Sequence, residues 1–535
     1  MPTATLSAAD FNLLQAENAR LLLDVTGLRQ NAVGLRSEVT RLSALVEKLT
    51  FQLALLKRLH FGQKSEALSA LMGDLFGKPT ELEQVAPPTT PPRKASREPQ
   101  AAPRVTLPPG LPVEVIEIDL PAAEKLSADG TPLRRIGEET SDRLAVTPGR
   151  FFIKRTVRPK YADPALPENG VRCAPLPMRV INGGLLDESV LADIAIRKFD
   201  DHLPLHRINE IYYRDGGVNL AKQTLSDAVL TCANWLAPLA AAVLVALKAD
   251  RVLHVDETVL PLQAPGKTIK ARAWAYVGTE VKLIYYDFTL TKAGHHVRER
   301  LAGWGSPENP VYLQADAANN YDGLYRQSPH IHEVACWAHA RRKFFEVAKH
   351  GNTPTATGAL ERINVLFDLE RQASEARLDH DQRQRWRAEH ARPKLDALDE
   401  FLKTEQQQLL PNTPTMAAIG YVQNHWQAFT RYIEHGQCVI DNNAAERALR
   451  VVAIGRKNWL FAGSENGGHA ASIFYTLIES AKANGHNPRQ YLEDVLRRLP
   501  ATLDKDLQTL LPHHWTPPTN TKASSTEIAA DRKMV

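Results

Sequence analysis

Cysteine is scarce in this chain: Cys173, Cys232, Cys336 and Cys438 are the four in 535 residues, and they lie far apart. That spacing excludes a paired C-x-x-C zinc framework and a disulfide scaffold, and it fits a reducing cytosol. Charge of one sign is also lacking. Lys plus Arg number 65 against 61 Asp plus Glu, a formal net charge of +4, so the total neither requires nor excludes a polyanionic partner and local clusters must decide. Long apolar runs are missing too. The longest, around Trp235 to Leu247, is interrupted by Pro238 and falls short of a bilayer span, and the start "MPTATLSAADFNLL" has no basic stretch ahead of an apolar block. The expectation is neither an export signal nor a membrane anchor. What is present, 43% hydrophobic and 24% charged residues, suits a globular protein of two to four domains.

The first pattern is a heptad. Leucine recurs at Leu14, Leu21, Leu28, Leu35, Leu42, Leu49 and Leu56, and three residues before each stand Phe11, Asn18, Val25, Ala32, Val39, Val46 and Leu53. These are the d and a seams of a coiled coil over residues 6–62. Valine at a with leucine at d favours a parallel homodimer, and Asn18 would fix the register. The plainer alternative is a long amphipathic helix packed on its own domain. Residues 77–112 are rich in proline and read as an extended linker, and residues 515–535 read as a disordered tail.

Residues 113–185 alternate apolar and polar side chains in short runs, which predicts a small β-rich module. Residues 186–249 then turn helical. "PLHRINEIYYR", the turn "DGGVN" and "LAKQTLSDAVLTCANWL" read as a helix-turn-helix, with Gly216 and Gly217 in the turn. Lys222, Gln223 and Thr224, with Asp227, would face outward from the second helix, where they reach base edges or phosphates; a purely structural bundle gives the same pattern.

Over residues 250–350 three strand-like runs, "RVLHVDETVLPL", "RAWAYVG" and "VKLIYYDF", precede an alternation of helix and strand. This is the order of an RNase H-like α/β core with a mixed sheet. Asp256 is expected near the end of the first strand and Asp316 at the end of the fourth, where ligands gather outside strand ends. Phosphodiester chemistry explains why acids would be wanted there. Two hard divalent ions roughly 3.5–4 Å apart stabilise the attacking and leaving oxygens, and they take oxygen ligands.

A third acid follows a helical insertion over residues 351–436. In "IDNNAAERALR", opening residues 437–500, Asp441, Asn442 and Asn443 are N-cap candidates and Glu446 stands three residues after Asn443. Glu446 therefore fits a capping box worth about 1 kcal/mol as well as it fits a metal ligand, and Asp441 competes for the ligand role. Asp256 as a turn acid and Asp316 as a helix cap are the plain readings of the other two. Arg447, Arg450, Arg456, Lys457 and Trp459 form a basic group with an interleaved aromatic, as in nucleic-acid surfaces. Arg341, Arg342 and Lys343, with His339, would present a second basic face, on a helix whose Phe344 and Phe345 are expected to pack inward.

Taken together, "HLPLHRINEIY", "HVDET", "LQADAANNYDGLY", "CWAHARRKFF", "IDNNAAERALR" and "GRKNWLFAGSENGGHAASIFYTLIESAKANGHNPRQYLEDVL" give a sequence that resembles the insertion-sequence-66 family of bacterial DDE transposases over nearly its whole length. The resemblance implies an RNase H-like fold and a DDE triad on Asp256, Asp316 and Glu446 that holds Mg²⁺ or Mn²⁺. It implies cleavage and joining of double-stranded DNA, at the element's terminal inverted repeats and at a target, in the bacterial cytoplasm at the nucleoid. Accessory proteins of the same element are implied as partners. Family members usually carry paired C-x-x-C motifs before the helix-turn-helix; here only Cys173 remains of them, one thiol cannot build a tetrahedral site, and zinc is not expected as a cofactor. The alternative function is a catalytically inactive, sequence-specific DNA-binding dimer.

Overall fold

The computed structural model describes residues 178–351 and 353–518 and, before them, residues 17, 20–27, 29–31, 34, 38, 41, 42, 45, 149, 151–153, 160–162 and 171–173. The chain divides into two compact units, Lys64–Phe151 and the remainder. The first holds only Gly149 and Phe151 among the described residues, and every helix and strand named here belongs to the second. The proline-rich linker and most of the β-rich module and tail lie outside the described residues.

The described residues between 17 and 45 are helical, and the zipper positions among them, Leu21, Val25 and Leu42, are exposed. The other seam positions lie outside the described residues. Of the β-rich module, β1 (Lys160–Ala162) pairs antiparallel with β2 (Val171–Cys173).

Three helices follow: α1 (Glu188–Phe199), α2 (Leu205–Gly216) and α3 (Lys222–Leu247). Gly217, at φ 67, ends α2 in the left-handed conformation that glycine takes without penalty, and Val218 N donates back to Tyr212 O at 3.2 Å. Asn209 closes the turn by accepting Leu220 N at 2.7 Å. The expected helix–turn–helix order is therefore present, but α3 runs on for 26 residues. The interruption expected at Pro238 does not occur. Pro238 sits on the exposed side of α3, as does Asn234, whose carbonyl loses its helical partner and faces water instead. By length and composition α3 could cross a membrane. In the fold it is a core helix, with Leu225, Val229, Leu236, Leu239, Val243 and Leu247 buried.

The sheet has five strands in the order β5-β4-β3-β6-β7. They are β3 (Val252–Ala264), β4 (Lys267–Gly278), β5 (Ile284–Thr289), β6 (Val311–Ala315) and β7 (Ile331–Ala335). β3, β4 and β5 pair antiparallel; β6 lies parallel to β3, and β7 parallel to β6. The fold is thus mixed α/β with a mostly helical remainder. α4 (His295–Arg300) and α5 (Asp322–Gln327) occupy the crossovers.

After β7 the chain is helical: α6 (Trp337–Gly351), α7 (Pro354–Glu375), α8 (His380–Trp386), a π-helical turn (Arg387–Ala391), α9 (Arg392–Gln408), α10 (Pro414–Asn424) and α11 (Trp426–Thr430). Their core, including Ile363, Leu366, Leu395, Leu398 and Ile419, is continuous with Val334 and Trp337 at the sheet edge. Buried Arg387 makes a bidentate pair with Glu370, Nε to Oε1 at 2.7 Å and Nη2 to Oε2 at 2.8 Å. Its Nη1 donates to Tyr432 O, so the guanidinium is compensated. On α6 only Phe344 packs inward as expected; Phe345 is 48% exposed, because consecutive helical residues lie about 100° apart and cannot share one face. The chain closes with α12 (Asn443–Ala448), α13 (Arg450–Trp459), α14 (Glu465–Ala483) and α15 (Pro488–Arg498). α14 packs on β5: Thr476 Oγ1 accepts Tyr286 N and Ser480 Oγ accepts Ile284 N, each at 2.9 Å.

Candidate active site

The parallel ladder fixes where the acids stand. His254 on β3 is level with Gln314 on β6, and Ala315 with Ala335 on β7. Continuing those registers by one or two residues puts Asp256 level with Asp316, and Asp316 level with Cys336. All three leave the carboxyl end of the parallel strands, although Asp256 is not at a strand end as expected: β3 extends to Ala264 in its hairpin with β4, and only its pairing with β6 stops at His254.

Side chains two residues apart on a strand share a face, so His254 and Asp256 look the same way, as do Gln314 and Asp316. That face receives the segment before α12. Buried Gln314 donates from Nε2 to Val439 O and, at 2.8 Å, to Asp441 O, and its Oε1 accepts Val439 N at 3.2 Å. Buried Asn442 donates from Nδ2 to Val255 O at 2.9 Å, so its Oδ1 accepts from His254 Nδ1 at 3.0 Å. A chain segment far away in sequence is thereby held against the ends of β3 and β6, and α12 starts over the two aspartates.

The capping box does not form. Asn442 is the N-cap of α12 and its side chain makes no cap bond, which leaves Asn443 inside the helix and Glu446 one position beyond the capping place. Asp441 is engaged locally: Oδ1 accepts Asn443 N at 3.1 Å and Oδ2 accepts Asn443 Nδ2 at 2.7 Å. Glu446 has no such use. Its Oε1 is buried without a hydrogen-bond partner, 3.7 Å from His339 Nε2, and its Oε2 lies 4.0 Å from Arg342 Nη2.

Electrostatics join the acids. Burial pushes the Asp256 carboxyl up to about 7; the carboxylates of Asp316, Glu257 and Glu446 push the same way, and the Glu257 N–H donated to Oδ1 at 2.8 Å opposes them. The three largest charge contributions on it all come from acids. Glu257 is also raised, by burial and then by Asp316, but Lys292, 3.8 Å away, and Arg272 offset this. Asp256 is therefore the more strongly raised of these two neighbouring acids. Asp316 is set by its backbone: its carbonyl accepts Tyr421 Oη at 2.6 Å, its Oδ1 accepts Ala318 N at 3.2 Å, and buried Ala317 holds a left-handed φ of 56.

A measurable consequence is the pH dependence of metal-free stability. A carboxyl raised in the folded chain contributes stability that is present below its unfolded value, near 3.8, and is lost as pH rises through about 7. In excess chelator the wild-type melting temperature is expected to fall from pH 5 to pH 8 more steeply than that of Asp256→Asn. Equal slopes would show that Asp256 is not a raised carboxyl.

The basic residues divide. Lys222, Gln223 and Thr224 are exposed at the start of α3, with Gln223 Nε2 donating to Asp227 Oδ1 at 2.7 Å. Arg341, Arg342 and Lys343 are exposed on α6; Arg341 Nε donates to Asn364 Oδ1, and Lys343 Nζ stands 4.3 Å from the centre of the Tyr421 ring. Arg447, Arg450 and Lys457 are exposed. Arg456 instead turns inward, its Nη1 donating to Thr258 Oγ1 at 2.9 Å and to Val259 O, so it ties α13 to β3. Trp459 is half-buried over Gly455, where a Cβ would come within 2.8 Å of its indole nitrogen. Sequence patterns alone miss Leu460 and Phe461, which are 64% and 36% exposed just after α13. They also miss Glu257 and the tethering by Gln314 and Asn442, which have no local signature. Cys336 beside His339 does have one, the i, i+3 spacing at a helix start, although composition gives the pair no role.

Comparison with known proteins places these residues in a family context. The family model "Transposase IS66 family" matches residues 183–470, "IS66 C-terminal element" matches residues 476–513, and "Transposase C of IS166 homeodomain" matches residues 48–116, which lie outside the described residues. Among curated proteins, the uncharacterized protein y4jD of Sinorhizobium fredii (strain NBRC 101917 / NGR234) is 31% identical over 507 residues, covering 90% of this chain and 97% of the relative. The uncharacterized protein y4qI of the same strain is 32% identical over 515 residues, covering 90% and 92%.

Proposed function

The chain belongs to the IS66 transposase family, and from that premise we propose that it is an RNase H-like DDE transposase that cleaves DNA at the ends of its insertion element and joins them to target DNA. The observation that carries the reading is Asp256: a half-buried carboxyl that its burial and the neighbouring carboxylates of Asp316 and Glu446 push up to about 7. An all-oxygen donor set of three acids, one of them with an orphaned buried oxygen, suits Mg²⁺ or Mn²⁺. Asp256 and Asp316 would hold one ion and Asp256 and Glu446 a second. When bound, such ions supply Lewis-acid stabilisation of the oxygens that attack and leave phosphorus.

In the first step a water oxygen attacks the phosphorus at the element end, the P–O3′ bond breaks, and the element keeps a free 3′-hydroxyl. That hydroxyl then attacks a target phosphodiester and displaces the target's 3′-oxygen. One phosphodiester replaces another, so joining needs no nucleotide cofactor. Asp256, Asp316 and Glu446 fix the reacting region, while Arg341, Arg342, Lys343, Arg447, Arg450 and Lys457 bind phosphates on either side. Lys222, Gln223 and Thr224 read the element end, Arg456 acts by tethering α13, and Trp459 packs beside the basic helix. The exposed Leu21, Val25 and Leu42 support a homodimer through residues 6–62, which would hold two ends together in the bacterial cytoplasm at the nucleoid. Accessory proteins of the same element would complete the assembly.

The test pairs a mobility-shift assay with a strand-transfer assay on one preparation, using DNA carrying the element's terminal repeats. Nicking and joining in Mg²⁺ or Mn²⁺, absent in chelator, are expected. Retarded DNA with no nicking in either metal would overturn the proposal in favour of a DNA-binding regulator.

A further inference from the structure

A second set of donors lies beside the three acids and is chemically different. Cys336 directly follows β7 and precedes α6; its carbonyl accepts Ala340 N at 3.3 Å, so it opens that helix. His339 stands three residues on, on the same face as Cys336. Glu446 faces both from α12. One ligand atom from each, the Cys336 sulfur, a His339 ring nitrogen and a Glu446 carboxylate oxygen, lies within 4.8 Å of the other two. Two of these side chains hold unused atoms: His339 Nδ1 and Glu446 Oε1 are buried without a hydrogen-bond partner. Burial pushes the Cys336 thiol up to about 11, and the Asn442 N–H donated to its sulfur at 3.1 Å opposes this only in part, so a cation bound there displaces a proton.

Sulfur, nitrogen and one carboxylate oxygen make the ligand set of a borderline-soft cation, not of Mg²⁺. Ligands at zinc distances in a tetrahedron lie about 3.3–3.8 Å apart, so the group needs to contract by about an ångström, within reach of rotations of the His339 and Glu446 side chains. Three protein ligands leave a fourth position open to solvent or to a phosphate oxygen. Mg²⁺ has little affinity for thiolate, so the two kinds of ion sort between the two sets by chemistry, and Glu446 is the only residue common to both.

We propose that Cys336, His339 and Glu446 form a binding site for a thiophilic divalent cation of the zinc class, and that this ion and the hard ions of the oxygen site compete for Glu446. The competition rests on the transposase reading; the site itself does not. Zinc at this position withdraws the third acid from the catalytic set and blocks strand cleavage while DNA stays bound.

The test uses the full-length protein stripped of metal and titrated with Co²⁺, which reports thiolate ligation by a near-ultraviolet charge-transfer band and tetrahedral geometry by intense visible bands. Both are expected to saturate and to disappear when Zn²⁺ is added. Cys336→Ser should abolish the charge-transfer band, His339→Ala and Glu446→Gln should each weaken Co²⁺ binding on the order of 100-fold, and Cys173→Ser, Cys232→Ser and Cys438→Ser should leave the band intact. Circular dichroism identifies any variant that has simply unfolded. In a parallel cleavage assay Zn²⁺ should inhibit the wild type, and as a fraction of each protein's own rate that inhibition should vanish in Cys336→Ser. Absence of the band, or its survival in folded Cys336→Ser, overturns the site; unchanged affinity in Glu446→Gln overturns the competition. Because the spectra need no DNA, a protein that fails to cleave in Mg²⁺ refutes the transposase reading and leaves the cation site standing on its own result.

Discussion

Glu446→Gln is expected to lower metal-dependent cleavage at element ends on the order of a thousandfold or more, with DNA binding unchanged, whereas Asp441→Asn should cleave within roughly fivefold of the wild type. Glutamine keeps the length and shape of the side chain but replaces an anionic oxygen by a neutral one, a poor ligand for a hard dication. Glu446 Oε1 lies buried without a donor, and its charge reaches Asp256. The Asp441 carboxylate is committed to the backbone and side-chain amides of Asn443. Losing that turn costs about 1 kcal/mol of helix stability, in the range of an ordinary cap, and removes no ligand. Single-turnover cleavage of end-labelled DNA, read beside a mobility shift for each variant, separates the two acids. The reverse ranking would transfer the third-ligand role to Asp441.

The places of Asp256 and Asp316 beside strands were legible in the sequence because each strand's apolar alternation is local, and the succession of strands along the chain, though not their order in the sheet, followed from counting those runs. The role of Glu446 was legible only as a choice between a helix cap and a ligand. Whether Glu446 caps its own helix depends on where α12 begins, and that is set by Asn442, which tertiary bonds to His254 and Val255 pull out of the capping role. Those bonds join residues 188 and 187 positions apart, beyond any periodicity. The same limit explains Arg456, counted with the basic residues of its segment until its guanidinium is seen on Thr258. It explains Pro238 as well: proline is disruptive inside a helix in general, yet tolerated when the orphaned carbonyl faces solvent. Cys336 and His339 were each visible, but their nearness to Glu446 arises from the sheet register and from Gln314, whose amide reaches residues 439 and 441 from across the insertion. The heptad leucines remain a sequence expectation for the most part, since only Leu21, Val25 and Leu42 of that seam lie among the described residues.

Asn442→Ala should be the most destabilising single change near the site, at about 2–5 kcal/mol, and should slow cleavage as well. Asn442 is fully buried and His254 is 1% exposed, so water cannot replace what the amide provides. Its removal leaves the Val255 carbonyl without this donor and His254 Nδ1 without an acceptor, and His254 Nε2 already has no partner. Each stranded group costs about 1–3 kcal/mol. Burial also lowers the His254 pKa to about 4, so the ring stays neutral at working pH and cannot recover the loss by charging against a nearby acid. Asn442→Asp should be no better: it keeps the acceptor but turns the donor aimed at Val255 into an anion facing a carbonyl. Asn442→Leu combined with His254→Leu should recover part of the loss, since replacing both partners by apolar groups spares one unsatisfied atom. Urea midpoints at constant slope measure these differences, and a double-mutant cycle gives the coupling. A loss below about 1 kcal/mol for Asn442→Ala would mean that Gln314 alone holds the segment against the sheet. A full loss, with cleavage falling at saturating DNA, would mean that the fold's tether and the placement of Glu446 are one interaction.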